Sequence, residues 1–155
     1  MSILGSLARV SPELLEQLRA PDAQPYAVLS DHETQIDLDR YWDVLRFLLD
    51  AGGVPINPMR SGRLYPSVER AWGGPDGDSC LLAVEEARQV SEFLDARPFS
   101  DLAIHLRAAG EAPLYGNKQW DRPDIRDRVE LLYEEMVQLF RDAADAGECT
   151  VFWAA

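Results

Sequence analysis

The sequence predicts an α/β protein in which helices cover a small mixed β-sheet. Apolar, strand-like runs lie at residues 3–10, 80–84 and 149–153, and helical patterns fill much of the chain between them. At 155 residues the chain is long enough to bury one hydrophobic core. We therefore expect a single domain over residues 1–155, while the strand order and the oligomeric state stay open.

The strongest helical pattern covers residues 124–146. Apolar residues recur there at alternating steps of four and three, which produces one stripe along a helix. The stripe consists of Ile125, Val129, Leu132, Met136, Leu139 and Ala143. Asp121 is the expected N-cap, Pro123 suits the first turn, and Gly147 is expected to end the helix in the left-handed conformation.

The last strand-like run, residues 149–153, reads Cys-Thr-Val-Phe-Trp. It is β-branched and aromatic and too short for another helix, so we predict a strand. Alternation places the odd-numbered residues on one face and the even-numbered residues on the other, with apolar side chains on both. A strand that is apolar on both faces is expected to be buried in the sheet.

Earlier elements follow from caps and periodicity. Ser11 followed by Pro12 marks the start of a short helix after the first strand. Residues 37–50 predict a largely buried helix, because apolar residues cover much of its circumference. Two further helices are predicted at residues 84–96 and, capped by Ser100, at 100–109.

The charge of the chain restricts its partners. It has 27 acidic and 15 basic residues, for a formal net charge of −12. Nucleic acids and anionic membrane surfaces bind clustered Lys and Arg, so neither is expected as a partner, whereas a basic protein is permitted. No run approaches the ~20 apolar residues that span a bilayer. The start lacks the features of a secretory signal, so a cytoplasmic protein is expected.

The two cysteines, Cys80 and Cys149, lie in apolar strand-like runs. Buried, reduced thiols are the expected state, because free cysteine is among the most buried residue types and cytoplasmic disulfides are rare. The two residues could also be neighbours in one sheet, where a disulfide is the less expected alternative.

Sequence motifs for metal, cofactor and covalent chemistry are missing. The glycine-rich run at residues 73–77 lacks the Lys-Ser/Thr of a phosphate-binding loop. His32 and His105 have no zinc-type spacing with the cysteines, and the sequence has no Gly-x-Ser-x-Gly motif. We therefore assign no catalytic residue, metal or cofactor, and an enzyme is the less favoured interpretation.

Aromatic residues in or beside irregular segments are the main candidates for a binding site. Tyrosine and tryptophan combine rigid contact area with a polar tip, and binding residues collect on loops. The predicted ligand-binding cleft consists of Trp42, Arg46, Trp72, Tyr115 and Trp120. The alternative interpretation is that these side chains pack loops onto the core.

Several segments match the pattern of one known family in the same order. Residues 5–12 read Gly-Ser-Leu-Ala-Arg-Val-Ser-Pro, and residues 38–49 fit an Asp/Lys-x-Trp-x-x-Leu-x-x-Leu-Leu helix. Residues 73–74 (Gly-Gly), Tyr115 with Trp120, and the final helix and strand follow. Over nearly its whole length the chain resembles the YfbM-like bacterial proteins, a domain of unknown function (DUF1877).

The resemblance implies a compact α/β fold in a cytosolic bacterial protein, without an established activity or catalytic residues. The chain also departs from the family pattern. The basic residue expected before Trp42 is displaced to Arg40, residues 73–79 lack the usual Gly-Pro-Ala-Arg, and glycine rather than proline follows Tyr115. A cleft that depends on those residues would be altered here.

Two functions remain as hypotheses. The first is a non-enzymatic binding protein, such as an acidic immunity or antitoxin protein that neutralises a basic partner. The second is a small-molecule-binding domain or enzyme that uses the aromatic-lined cleft.

Overall fold

A computed structural model describes residues 3–20, 29, 34–60, 78–116 and 119–154. Within these residues, four strands form one sheet. The strands are β1 (Gly5–Val10), β2 (Gln35–Asp39), β3 (Asp78–Leu82) and β4 (Cys149–Ala154). Their order in the sheet is β2-β1-β4-β3, so the last strand of the chain lies between two others.

Six helices occur in the same part of the chain. They are α1 (Pro12–Leu18), α2 (Trp42–Ala51), α3 (Val84–Asp95), α4 (Phe99–Ala103), α5 (Leu106–Glu111) and α6 (Pro123–Ala146). No helix in the described ranges combines the length and the apolarity needed to span a bilayer.

The α/β fold class is confirmed, and the sheet differs from the expectation in one detail. All three strand pairings are antiparallel, where a mixed sheet was expected. The first residues of β4 lie beside the last residues of both neighbouring strands. Cys149 lies opposite Val10 of β1, and Thr150 lies opposite Leu82 of β3.

The predicted terminal helix and strand are both present. Gly147 ends α6 with φ of 65°, the left-handed conformation that glycine adopts at low cost. The predicted N-cap was wrong. Because Pro123 is the first helical residue, the extended residue just before it, Arg122, occupies the cap position, and Asp121 lies one residue too early.

β4 carries both hydrophobic cores. All six of its residues are buried. Phe152 belongs to the larger core, which β4 shares with α2, α3 and α6. On the opposite face Val151 and Trp153 belong to a smaller core, which includes Leu15 and Leu18 of α1. The helices therefore cover both faces of the sheet.

The strand β2 includes residues 37–39, which were predicted to begin a helix. Residues 35–39 pair with β1, and the helix α2 starts only at Trp42. Leu38 fits a helical stripe with Trp42 and also alternates with Ile36 as in a strand, and pairing with β1 decides between the two. Asp39 has φ of 51°, and the chain turns there towards α2.

The helix predicted at residues 100–109 is divided into α4 and α5. Pro98 precedes the first turn with an extended backbone, so the predicted cap Ser100 lies inside the helix. Ile104, between α4 and α5, is 74% exposed. It lies opposite the buried Leu102 on the helical surface.

Both cysteines are buried thiols, as expected. They lie in the same sheet but on opposite faces, since Cys80 belongs to the larger core and Cys149 to the smaller one. This arrangement separates them and excludes a disulfide between them.

Gly5 lets α2 approach the sheet closely. A Cβ atom at this position would lie 2.5 Å from the Cβ of Trp42. Glycine therefore fits where any other residue would collide with the tryptophan. The Trp42 ring also packs against Phe152 of β4, with 6.1 Å between the ring centroids. The tryptophan-bearing helix and the terminal strand thus share one core.

Candidate functional site

Three of the five predicted cleft residues meet at the start of α2. The ring of Trp42 stacks on Tyr115, with centroids 5.7 Å apart and ring planes at 22°. Arg46 lies one helical turn after Trp42. Its guanidinium carbon is 5.0 Å from the centroid of the Trp42 ring, which is a cation–π contact.

A buried carboxylate that the sequence analysis missed organises this cluster. Asp43 is 7% exposed. Its Oδ1 accepts hydrogen bonds from Arg46 Nε at 3.2 Å and Nη2 at 2.9 Å. Its Oδ2 accepts the backbone N–H of Tyr115 at 2.8 Å. The available signal was an acid three residues before an arginine on an otherwise apolar helix.

The N-terminal segment closes the cluster on a second side. Trp42 Nε1 donates to the carbonyl of Ile3 at 3.1 Å, and the N–H of Ile3 donates to the Tyr115 hydroxyl at 2.6 Å. Three segments distant in sequence are thereby held together around one tryptophan.

The remaining predicted residues lie apart from this contact. Trp120 is 1% exposed and meets Tyr41 edge-on, with centroids 6.0 Å apart. Gly116 has φ of 105°, and a Cβ atom there would lie 3.0 Å from the Trp120 ring. Trp72 lies outside the described residues. The rings of Trp42 and Trp120 are buried and do not themselves offer an exposed surface to a ligand. Ligand binding at this cluster stays a prediction.

A second surface of interest is formed by the exposed sides of α3 and α6. We call it the α3–α6 acidic face and define it by Glu85, Glu92 and Asp95 of α3 with Glu134 and Asp145 of α6. All five residues are exposed. Glu92, Asp95 and Asp145 line one depression of about 230 Å³ together with Arg88 and Arg141, so these three acids of the two helices face the same space.

Three arginines partly balance the α3–α6 acidic face. Arg88 pairs with Glu85 at 2.5 Å, and Arg141 pairs with Asp95 at 2.7 Å. Arg97 lines one depression together with Asp95 and Glu134. The other three acids of the face have no ion pair within the described part of the chain. The surface therefore carries net negative charge.

A buried tyrosine lies below this face. Burial, and next the negative charge of Asp101, raises the pKa of Tyr133 to about 12. The Tyr133 hydroxyl donates to the carbonyl of Arg97 at 2.6 Å. The phenol is therefore protonated at neutral pH and holds the end of α3 against α6.

Burial also raises the pKa of the Cys149 thiol above its usual value. A protonated, buried thiol is a poor nucleophile. Among the described residues, no group of three or more His, Cys, Asp or Glu side chains is arranged to hold a metal ion.

A family model described as "Domain of unknown function (DUF1877)" matches residues 1–153. The chain belongs to this family. A solved structure with the same fold is a protein of unknown function, YfbM from Escherichia coli, which is 17% identical with a TM-score of 0.68. The match covers 98% of this chain and 99% of that chain. No curated protein matches the chain.

The resemblance read from short motifs is therefore confirmed for DUF1877 over nearly the whole sequence. At this level of identity, the likeness to YfbM shows the fold alone. Any activity of this DUF1877 chain has to be argued from its own surfaces.

Replacement of the buried carboxylate in this DUF1877 protein is expected to be costly. Asp43→Ala removes the acceptor for Arg46 and for the Tyr115 N–H in a nearly dry site, so we expect a loss of about 2 to 3 kcal/mol in the free energy of unfolding. Urea denaturation measures it. Glu85→Ala is the matched control, because Glu85 pairs with Arg88 at the same spacing but is exposed, and about 0.5 kcal/mol or less is expected there. Equal losses in both variants would contradict this role of Asp43.

The raised pKa of Tyr133 makes stability fall at alkaline pH. In the unfolded chain the phenol loses its proton near pH 10, whereas the folded protein retains it to about 12. Stability present below pH 10 is therefore lost progressively towards pH 12, by up to about 2 kcal/mol. Denaturation midpoints of the wild type and Tyr133→Phe measured across this range test it. The wild type should lose stability more steeply, and parallel pH curves would refute the assignment.

Proposed function

We propose that this protein is a non-enzymatic binding protein whose partner is a basic protein, in the manner of small acidic immunity or antitoxin proteins. The α3–α6 acidic face carries the proposal. It collects exposed carboxylates from two helices on one surface, and the chain as a whole has a formal net charge of −12.

The structure of this face favours recognition of cations. Its acids project from two helices packed on the larger core, so their spacing is held by the core and not by loops. Complementary charge speeds diffusional encounter and excludes partners of like charge. A basic protein surface is the partner that gains most from such a face.

Three buried ionisable groups, those of Cys149, Tyr133 and Asp43, have structural roles. The thiol of Cys149 and the phenol of Tyr133 both have raised pKa values, so neither side chain is activated as a nucleophile at neutral pH. The buried carboxylate of Asp43 has its oxygens engaged by Arg46 and Tyr115. These groups hold structure together.

Neutralising the acidic face is expected to abolish partner binding. The variant carries Glu92→Gln, Glu134→Gln and Asp145→Asn, all at exposed positions where the fold should be unaffected. The purified wild type, immobilised, is expected to retain one basic protein from extracts of its source cells at low salt and to release it as salt is raised. The neutralised variant should retain none, and calorimetry with the identified protein should give the loss of affinity.

A control with the same net charge separates this face from general acidity. It carries Glu13→Gln, Glu111→Gln and Asp121→Asn, which are also exposed but lie elsewhere on the molecule. It should bind as the wild type does. Retention that ignores salt, or equal loss in both triple variants, would defeat the proposal.

The second candidate function is a small-molecule site at the Trp42 cluster. Its support is that Arg46 and Tyr115 stay partly exposed beside the buried ring of Trp42. A ligand of the native state raises the melting temperature. A metabolite that stabilises the wild type but not the Arg46→Lys variant, which keeps a positive charge beside Asp43, would support this site. Hits that are indifferent to Arg46→Lys and Tyr115→Phe would remove it.

A further inference from the structure

A groove of about 580 Å³ lies between the strand β2 and the helix α6. We call it the β2–α6 groove. One wall is the continuous strand segment 34–37, and the other is formed by Arg128, Glu135, Leu139 and Asp142 of α6. These helix residues are separated by seven, four and three positions, so they form a single stripe. The groove therefore runs between a strand and one face of a helix.

The strand wall is an edge of the described sheet. β2 pairs with β1 on one side and with no other described strand. The N–H of Arg9 donates to the carbonyl of Thr34 at 3.1 Å, and Leu7 lies opposite Ile36. In an antiparallel pair the intervening residues direct their backbone groups outwards, so those of Gln35 and Asp37 point away from β1. Backbone groups of this kind are available to an added strand.

Three carboxylates and two guanidinium groups line the groove, those of Asp37, Glu135 and Asp142 and those of Arg9 and Arg128. One oxygen of Asp142 accepts a hydrogen bond from Gln138. Because Arg9 forms an ion pair with Glu148 outside the groove, the charge inside it is net negative. The occupant with complementary charge is basic.

The base of the groove favours an extended occupant that also carries apolar side chains. Leu139 is 6% exposed, and with Ile36 it provides an apolar base for alternate side chains. The Gln35 side chain takes no part in this base, because Gln35 lies opposite Ala8 of the smaller core, on the face of the sheet away from α6.

We propose that the β2–α6 groove binds an extended peptide segment with a basic side chain, which pairs with β2 as an added strand. The backbone of the segment hydrogen-bonds to Gln35 and Asp37, and its basic side chain contacts Glu135 and Asp142. An edge strand facing a helix is the arrangement in which peptides bind by strand addition. The inference extends the proposed function to a second surface and does not depend on the α3–α6 acidic face.

The test uses the full chain and two defined sets of labelled ten-residue peptides. One set carries a single Lys or Arg at each position among apolar and small residues, and the matched set carries Glu instead. Fluorescence polarisation is expected to find binders in the basic set alone. Failure of every basic peptide to bind, or equal binding by both sets, would overturn the proposal.

Backbone methylation of the best peptide tests the strand pairing. Two methylated peptides are compared, one with N-methyl groups on the odd-numbered residues and one with N-methyl groups on the even-numbered residues. An added strand pairs only every second residue with β2, so one of the two peptides should lose binding and the other should keep it. Equal effects of the two methylation patterns would show that the peptide does not pair as a strand and would overturn the proposal.

Matched variants of α6 locate the peptide. Glu135→Lys should weaken binding by about tenfold or more, since it replaces attraction with repulsion inside the groove. Glu134→Lys changes the net charge by the same amount at the adjacent residue, which lies outside the groove. This variant should bind the peptide as the wild type does. Equal weakening of peptide binding in the two variants would refute a peptide site. A wild-type protein that forms dimers, which Glu135→Lys dissociates, would also refute it.

The neutralised α3–α6 variant separates the two proposals. It should lose the basic protein partner and keep the peptide within about twofold, because its three changed residues lie outside the groove. Loss of the partner with retained peptide binding supports both proposals. Peptide binding by a protein that has no salt-sensitive partner would refute only the proposed function.

Discussion

The structure depends on the central position of its last strand. β4 lies between β1 and β3, and none of its six residues is exposed. Its two faces supply both cores, with Phe152 on one side and Trp153 on the other. The sheet is therefore incomplete until β4 is in place. The helix α6, which leads directly into β4, packs on the same larger core.

The Trp42 cluster shows how one carboxylate can order an irregular segment. A loop after α5 has no periodic hydrophobic pattern to hold it on the core. Asp43 holds it through the N–H of Tyr115, and Trp42 holds it through ring stacking. Burial of the charge is tolerated because Arg46 lies beside it and contributes two donors. This arrangement explains why aromatic residues from loops are found inside the molecule.

The outer surface of α6 is divided between two environments. Glu134 faces α3 and Glu135 faces the edge strand β2, although the residues are adjacent in sequence. The helical period of 3.6 residues separates neighbouring side chains by about 100°. One helix can therefore contribute acids both to the α3–α6 acidic face and to the β2–α6 groove. Membership of the DUF1877 family accounts for the fold on which these surfaces lie.

The sequence alone determined the elements whose signals are local. The stripe of α6, the left-handed Gly147 and the alternation of β4 follow from periodicity and backbone preference within a few residues. Family membership was also readable, because short motifs kept their order along the chain.

Tertiary structure decided the features that depend on distant partners. Residues 35–39 became a strand only by pairing with β1, and the contacts of Asp43 involve Tyr115, 72 residues away. The β2–α6 groove likewise exists only where an edge strand meets a helix. Hydrogen bonding and burial across the sheet outweigh local propensities of a few tenths of a kcal/mol, and a linear pattern carries no record of those partners.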